Sequence, residues 1–253
     1  MQSLILSSYF SLKPHPNHPS DRDVIGRAED GRVWQSDFRY IEKWYDSIVS
    51  NNLKAVLFYD NLDDSFVSSY DNECVSFIKV NTSEYSNNDW RFFCFYDFLK
   101  KLEESNQLPD VVFHTDASDV VVVKDPCDLI TEYGDVDYFT CKDSIPLNKF
   151  GYMQAHEHFG WDDRLMFMIN MNEWWLINMG VIGGRSDKMI KFYRKFKDIR
   201  TSMGEPSFNS DMWLCQYLLR SQLQPCNTLI GEPVCSNFKK YENSRKDVYF
   251  IHK

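Results

Sequence analysis

The segment VVFHTDASDVVVVKDP, residues 111–126, sets two carboxylates, Asp116 and Asp119, between two apolar, β-branched runs. Acidic groups this close to a buried strand repel each other and are costly to desolvate unless a cation joins them. Oxygen ligands of this kind suit Mg²⁺ or Mn²⁺, ions that often bridge carboxylates to substrate phosphates. A cation held there would neutralise charge developing on a leaving diphosphate. The plainer reading is a polar turn with one aspartate capping it, and the apolar flanks on both sides weigh against that.

Three later segments carry further candidates. In NMGVIGGRSDKMIKFY, residues 178–193, Gly180, Gly183 and Gly184 permit close backbone approach and unusual φ angles beside a ligand. A tight strand-to-helix turn whose glycines serve packing is the alternative. FNSDMWLCQYLL puts Asp211 at the start of a helix, where the N-terminus itself favours negative charge. The terminal VYFIHK offers His252, an imidazole that accepts Mn²⁺, and the aromatic-apolar residues before it argue for a docked tail. His114 precedes the aspartates inside an apolar strand and is expected to be a core histidine. His156 and His158 lie in a polar loop with no thiol or carboxylate pattern of a zinc site; a solvated loop is expected, with an acceptor-side loop as the functional alternative. Trp161, Trp174, Trp175 and Trp213 are candidates for a sugar-stacking platform, most of them expected in the core or at a rim.

Elements that position these residues follow from periodicity. Short apolar runs alternate with helical patterns, as in a mainly parallel sheet with crossover helices. Strands are predicted at 4–10, 54–59, 76–80, 110–123 (broken by HTDASD), 137–141 and 174–182, the last ending at the two glycines. A short apolar piece is expected at 248–251. Helices are predicted over 38–49, 89–102 (capped by Asn88 or Asp89), 187–199 and 208–219 (capped by Asn209 or Ser210). The aspartates then fall at the carboxyl end of a strand, where open α/β sheets leave a crevice for ligands.

Strand–DASD–strand followed by DP resembles the metal-binding DxD motif of the GT-A glycosyltransferases, with one extra residue between the aspartates. The spacing leaves open whether both bind the metal directly or one acts through water, the donor ribose or the sugar. NMGVIGG is similar to the N-x-G-V-x-G-G segment late in such catalytic domains, and the helix bearing Asp211 to the one facing the acceptor. The loop KPHPNHPSDRD is loosely similar to one in some eukaryotic, algal and large-virus glycosyltransferase-like proteins.

The resemblance implies a single GT-A-like domain over 1–253, a Rossmann-type mixed, mostly parallel sheet flanked by helices. The nucleotide half is about 1–125 and the acceptor half about 126–253. It implies transfer of a sugar from a nucleotide-diphosphate donor, UDP-sugar before GDP-sugar, to a glycan or other hydroxyl acceptor. Asp116, Asp119 and His252 would hold Mn²⁺ or Mg²⁺. Ser7, Ser8, Tyr9 and Asp60 would hold the nucleoside, with Tyr9 stacked on the base. Arg91 and Lys253 would meet the diphosphate, and Asn178, Gly180, Gly183 and Gly184 would border the donor. Asp211 would be the general base if the reaction inverts, or would position the donor sugar if it retains configuration. A sugar nucleotidyltransferase normally has a Gly-rich loop after the first strand, which SSYFSLKPHPNHP lacks. A non-catalytic binding module with a degenerate site is the other alternative.

Bulk properties narrow the classes. The chain has 253 residues, 43% of them hydrophobic and 16% aromatic, enough for a substantial core. A net charge of −9 with no long basic run disfavours nucleic acid as a partner. Seven scattered cysteines include no CxxC, so free thiols in a reducing compartment are expected, with a bridge between Cys226 and Cys235 as the alternative. The N-terminus does not read as a signal peptide. No run approaches the roughly 18 apolar residues needed to span a bilayer, and a soluble cytoplasmic protein is expected.

Overall fold

The computed structural model describes residues 1–15, 31–147, 174–204, 206–240 and 242–253. β1 (Ser3–Tyr9) pairs in parallel with β2 (Ala55–Tyr59) on one side and β4 (Val111–Thr115) on the other, and β3 (Val75–Lys79) continues beyond β2. β7 (Trp175–Arg185) lies antiparallel to β4, and β6 (Tyr138–Pro146) antiparallel to β7. β8 (Thr228–Ile230) closes the edge, parallel to β6. The order is β3-β2-β1-β4-β7-β6-β8, and among the described residues only β7 runs against the others. This is the mixed, mostly parallel α/β sheet expected from the alternation of apolar runs and helical patterns. Every residue of β2 and β4 is buried, as strands covered on both faces require.

Alternate residues of the central strands feed two cores. Ile5, Leu57 and Phe113 pack under α1 (Glu42–Ser50), α2 (Asp64–Tyr70) and α4 (Cys127–Glu132). Leu6, Phe58 and Val112 pack under α3 (Asn87–Glu104), α5 (Ser186–Ser202) and α6 (Asp211–Tyr217). The period of two in the strands thus places helices on both faces.

Several boundaries differ from expectation for physical reasons. The helix expected over 38–49 is a 3₁₀ turn, Phe38–Tyr40, then α1, with Ile41 at φ −113° and ψ −4° between them. α3 is capped by neither Asn88 nor Asp89. The Ser86 hydroxyl accepts from Asp89 N at 3.2 Å, and the Asp89 side chain is drawn inward by Arg200. The apolar run 110–123 divides between two sheets: β5 (Val120–Val122) pairs antiparallel with β9 (Phe250–His252). Helix 208–219 is α6 followed by a π-helical turn, Leu218–Gln222. α2, α4 and β8, each seven residues or fewer, had no expectation attached.

The cysteines correct another expectation. Cys141 on β6 and Cys235 are joined by a disulfide, whose Cα atoms lie 5.3 Å apart. Cys226, the alternative partner, is a free thiol, as are Cys74, Cys94, Cys127 and Cys215. Pairing follows from tertiary proximity across 94 residues rather than from spacing. No helix of the described residues is long and apolar enough to cross a membrane.

Candidate active site

β4 ends at Thr115, and that end is pinned twice. Ser7 Oγ donates to its carbonyl at 2.6 Å, and Trp44 Nε1 donates to its hydroxyl at 2.8 Å. The chain then turns through Asp116 and Asp119 before β5. Asp116 N donates to Gly180 O at 2.8 Å, which ties the turn to β7. β9 sets Val120 opposite His252, and Lys253 N donates to Asp119 O at 3.0 Å. Sequence positions 116, 119 and 252 meet because a three-residue strand brings the C-terminus back onto β5.

Ligand atoms of Asp116, Asp119 and His252 all lie within 4.8 Å of one another. His252 is buried. Its Nε2 stands 3.5 Å from Asp119 Oδ2, and its Nδ1 has no hydrogen-bond partner among the described residues. Burial acts to lower its pKa, but the Asp119 charge and hydrogen bond, with the charges of Asp116 and Asp143, together raise it. Two carboxylates with one imidazole, whose Nε2 stands beside Asp119, are a donor set that fits Mn²⁺ or Mg²⁺. A Cβ on Gly180 would lie 2.1 Å from His252 Cε1, so glycine there makes room for the imidazole.

Arg91 on α3 joins this cluster to a second one. Its Nη1 donates to Asp116 Oδ1, and its Nη2 donates to Asp211 Oδ2 at 3.1 Å. Its side chain is only 8% exposed, unlike that of an ordinary arginine on a helix surface. Asp211 opens α6, where its Oδ1 accepts from Met212 N at 2.7 Å. Burial pushes its pKa up to about 6, against the lowering effect of Arg91.

These groups face a cleft of about 910 Å³ at the carboxyl edge of the parallel strands. Of the residues singled out from sequence, Ser8, Arg91, Asp116 and Asp119 line it. So do Asn178, Gly180, Asp211, His252 and Lys253, together with Trp213. Asn178 accepts from Gly180 N at 2.9 Å and donates to Asp143 Oδ2 at 3.2 Å.

Other expected residues do structural work elsewhere. Tyr9 is fully buried, with its hydroxyl donating to Trp34 O at 2.5 Å and its ring 4.7 Å from Tyr40, so it is not a platform for a base. Strand alternation points it to the α1 core, while Ser8 and Phe10 face the cleft. Ser7 holds Thr115. Asp60 accepts from Ser11 N at 2.8 Å and Leu12 N at 3.2 Å, fastening the chain after β1. Gly183 and Gly184 lie within β7 rather than in a turn. A Cβ would strike the Phe113 ring at 2.1 Å or Asp137 O at 2.3 Å, so their smallness serves sheet packing. His114 is a core histidine, its ring 5.1 Å from Phe92 and its pKa lowered by burial to about 3. Trp174 and Trp175 carry Arg220 and Lys142 over their rings, away from the cleft lining. His156, His158, Trp161 and most of the KPHPNHPSDRD loop lie outside the described residues.

Two cleft residues escaped the sequence reading. Lys43, in the first turn of α1, faces Lys253. Desolvation and then Lys43 bring the Lys253 pKa down to about 8. Asp143 enters from β6. Neither sits in a motif, and only the sheet order brings them to the aspartates.

No protein-family model matches the chain, and no curated protein matches it. A crystal structure described as a glycosyltransferase involved in the glycosylation of the major capsid of PBCV-1 is similar over 100% of this chain and 92% of that chain, at 14% identity and a TM-score of 0.48. A likeness at that level carries no residue's role across.

Proposed function

We propose that this chain is a metal-dependent glycosyltransferase, using a nucleotide-diphosphate sugar (a UDP-sugar first, a GDP-sugar second) and an acceptor hydroxyl. The observation that carries the reading is the convergence of Asp116, Asp119 and His252 beside Lys43 and Lys253 in one cleft. Two lysines held face to face, without a carboxylate partner among the described residues, favour an anion between them. The cation that Asp116, Asp119 and His252 would hold, Mn²⁺ or Mg²⁺, supplies neutralisation of charge on the leaving diphosphate.

The residues then divide the work. Lys43 and Lys253 bind the phosphates and stabilise charge that develops on them. Arg91 holds one oxygen of Asp116 and leaves the other directed to the site. Phe10, Val33 and Tyr40 offer an apolar wall for a base on the β1 side. Asn178 and Gly180 border the sugar. Asp211 takes the acceptor proton in an inverting reaction, since a carboxyl titrating near 6 is a usable base at neutral pH. In a retaining reaction it positions the donor sugar instead. The reading treats residues 1–253 as one catalytic domain.

Release of UDP from a panel of UDP-sugars, with Mn²⁺ and with EDTA, tests the reading. Metal-dependent release that is lost in Asp116→Asn is the expected result. Release that is equal in EDTA, or unchanged in the variant, would overturn the metal-dependent assignment.

A further inference from the structure

Charge is divided across the cleft, and the sheet order fixes the two sides. β1 lies on one side of β4, and β7 and β6 lie on the other. The β1 side presents Lys43, with Phe10 and Tyr40 as the apolar wall, and Lys253 stands beside Asp119. The far side presents Asn178 from β7, Asp143 from β6, and Asp211 from α6. α6 is locked onto β7 because Gln216 Nε2 donates to Ile177 O at 2.8 Å and Gln216 Oε1 accepts from Ile177 N at 3.2 Å.

Asp143 belongs to the same framework as the aspartate turn. It accepts from Asn178, Asn178 accepts from Gly180 N, and Gly180 O accepts from Asp116 N. Three hydrogen bonds therefore set the distance from Asp143 to the metal-ligand group. Among the described residues, Arg91 is paired with both Asp116 and Asp211, and Lys239, which also lines the cleft, is exposed and lies over the Phe238 ring at 5.3 Å. Carboxylates and amides are the groups that recognise sugar hydroxyls, accepting from and donating to them. A sugar carboxylate here would meet like charge in a partly desolvated cleft, where such repulsion is weakly screened.

We propose that the sugar this chain accepts from its nucleotide donor is uncharged, not a uronic acid, and that Asp143 is the residue that enforces the choice. The proposal rests on the glycosyltransferase reading and adds the class of sugar to it.

Calorimetric titration of the purified protein in the presence of Mn²⁺ tests it, using UDP, GDP, UDP-glucose and UDP-glucuronate on the wild type and on Asp143→Asn. The asparagine keeps an acceptor for the Asn178 amide and removes the charge. In the wild type, UDP-glucuronate is expected to bind about tenfold or more weakly than UDP-glucose. In Asp143→Asn the gap should shrink to about threefold or less, each affinity taken relative to that protein's own affinity for UDP. A wild-type gap that is already this small, or one that the variant leaves intact, overturns the proposal. The UDP arm reports separately on the underlying reading: if neither UDP nor GDP binds with Mn²⁺, the glycosyltransferase assignment itself fails. If GDP binds in place of UDP, GDP-mannose and GDP-mannuronate replace the pair and the same two outcomes apply.

Discussion

Asp89 and Arg91, two residues apart on α3, each enter a buried ion pair, and the two pairs serve different ends. Asp89 and Arg200 are both 0% exposed. Asp89 accepts from Arg200 Nε at 2.7 Å and from the Ser210 amide and hydroxyl, while Arg200 donates to the carbonyls of Pro206 and Phe208. That cluster is closed on itself and fastens α3, α5 and the turn that delivers Asp211. Arg91 is nearly as deep, but its partner Asp116 is 30% exposed and opens onto the cleft. A closed pair fixes position, whereas an open one keeps a charged oxygen available to a ligand. The same residue types on one helix turn thus separate into scaffold and site according to whether solvent reaches the carboxylate.

Breaking the closed cluster should have the largest effect. Arg200→Met leaves Asp89 buried without its cation and should cost about 3–5 kcal/mol, read as a shift in the urea midpoint. Titration of Asp211, the buried end of the open cluster, comes next. Burial lifts Asp211 to about 6, above its unfolded value of 3.8, so the folded state holds a proton that the unfolded chain releases. Stability contributed through this group therefore falls as pH rises from about 4 to about 6, by up to about 3 kcal/mol, and is flat above that. Asp211→Asn should abolish this slope. Parallel stability curves for wild type and variant would contradict the assignment.

Substitution at the open end sharpens the contrast. Asp116→Asn should change stability by less than about 1 kcal/mol, since the position is partly exposed and Arg91 keeps Asp211. The same change should weaken Mn²⁺-dependent nucleotide binding by about 100-fold, roughly 2.7 kcal/mol. If it unfolded the protein as far as Arg200→Met, the distinction between the clusters would collapse. The smallest effect is indirect: Gly180→Ala pushes a methyl into the His252 ring and alters neither aspartate's own side chain. Mn²⁺ affinity should fall by about tenfold while Asp116 and Asp119 remain in place, as a displaced ligand predicts.

What could be read from sequence follows from range. The central strands β2 and β4 announce themselves because apolar residues dominate each, and α3 and α5 because their apolar faces recur at helical spacing. DASD stood out because two carboxylates interrupt the most apolar strand. Tyr9, by contrast, looked like a platform only because strand alternation could not be phased: Ser8 and Phe10 face the cleft, and Tyr9 faces the core. The two glycines of β7 looked like a ligand turn because their neighbours, Phe113 and Asp137, come from other strands. Lys43, Asp143 and the bridge from Cys141 to Cys235 were invisible for the same reason. Each depends on sheet order, and no local pattern encodes it.

Calorimetric titration of UDP into the protein with Mn²⁺, repeated in EDTA and with the Asp116→Ala/Asp119→Ala double variant, tests the central claim most directly. Binding that requires the metal and disappears in the double variant is the predicted result. Binding that persists in EDTA and in the variant would contradict it, because the aspartates would then have no part in holding the nucleotide.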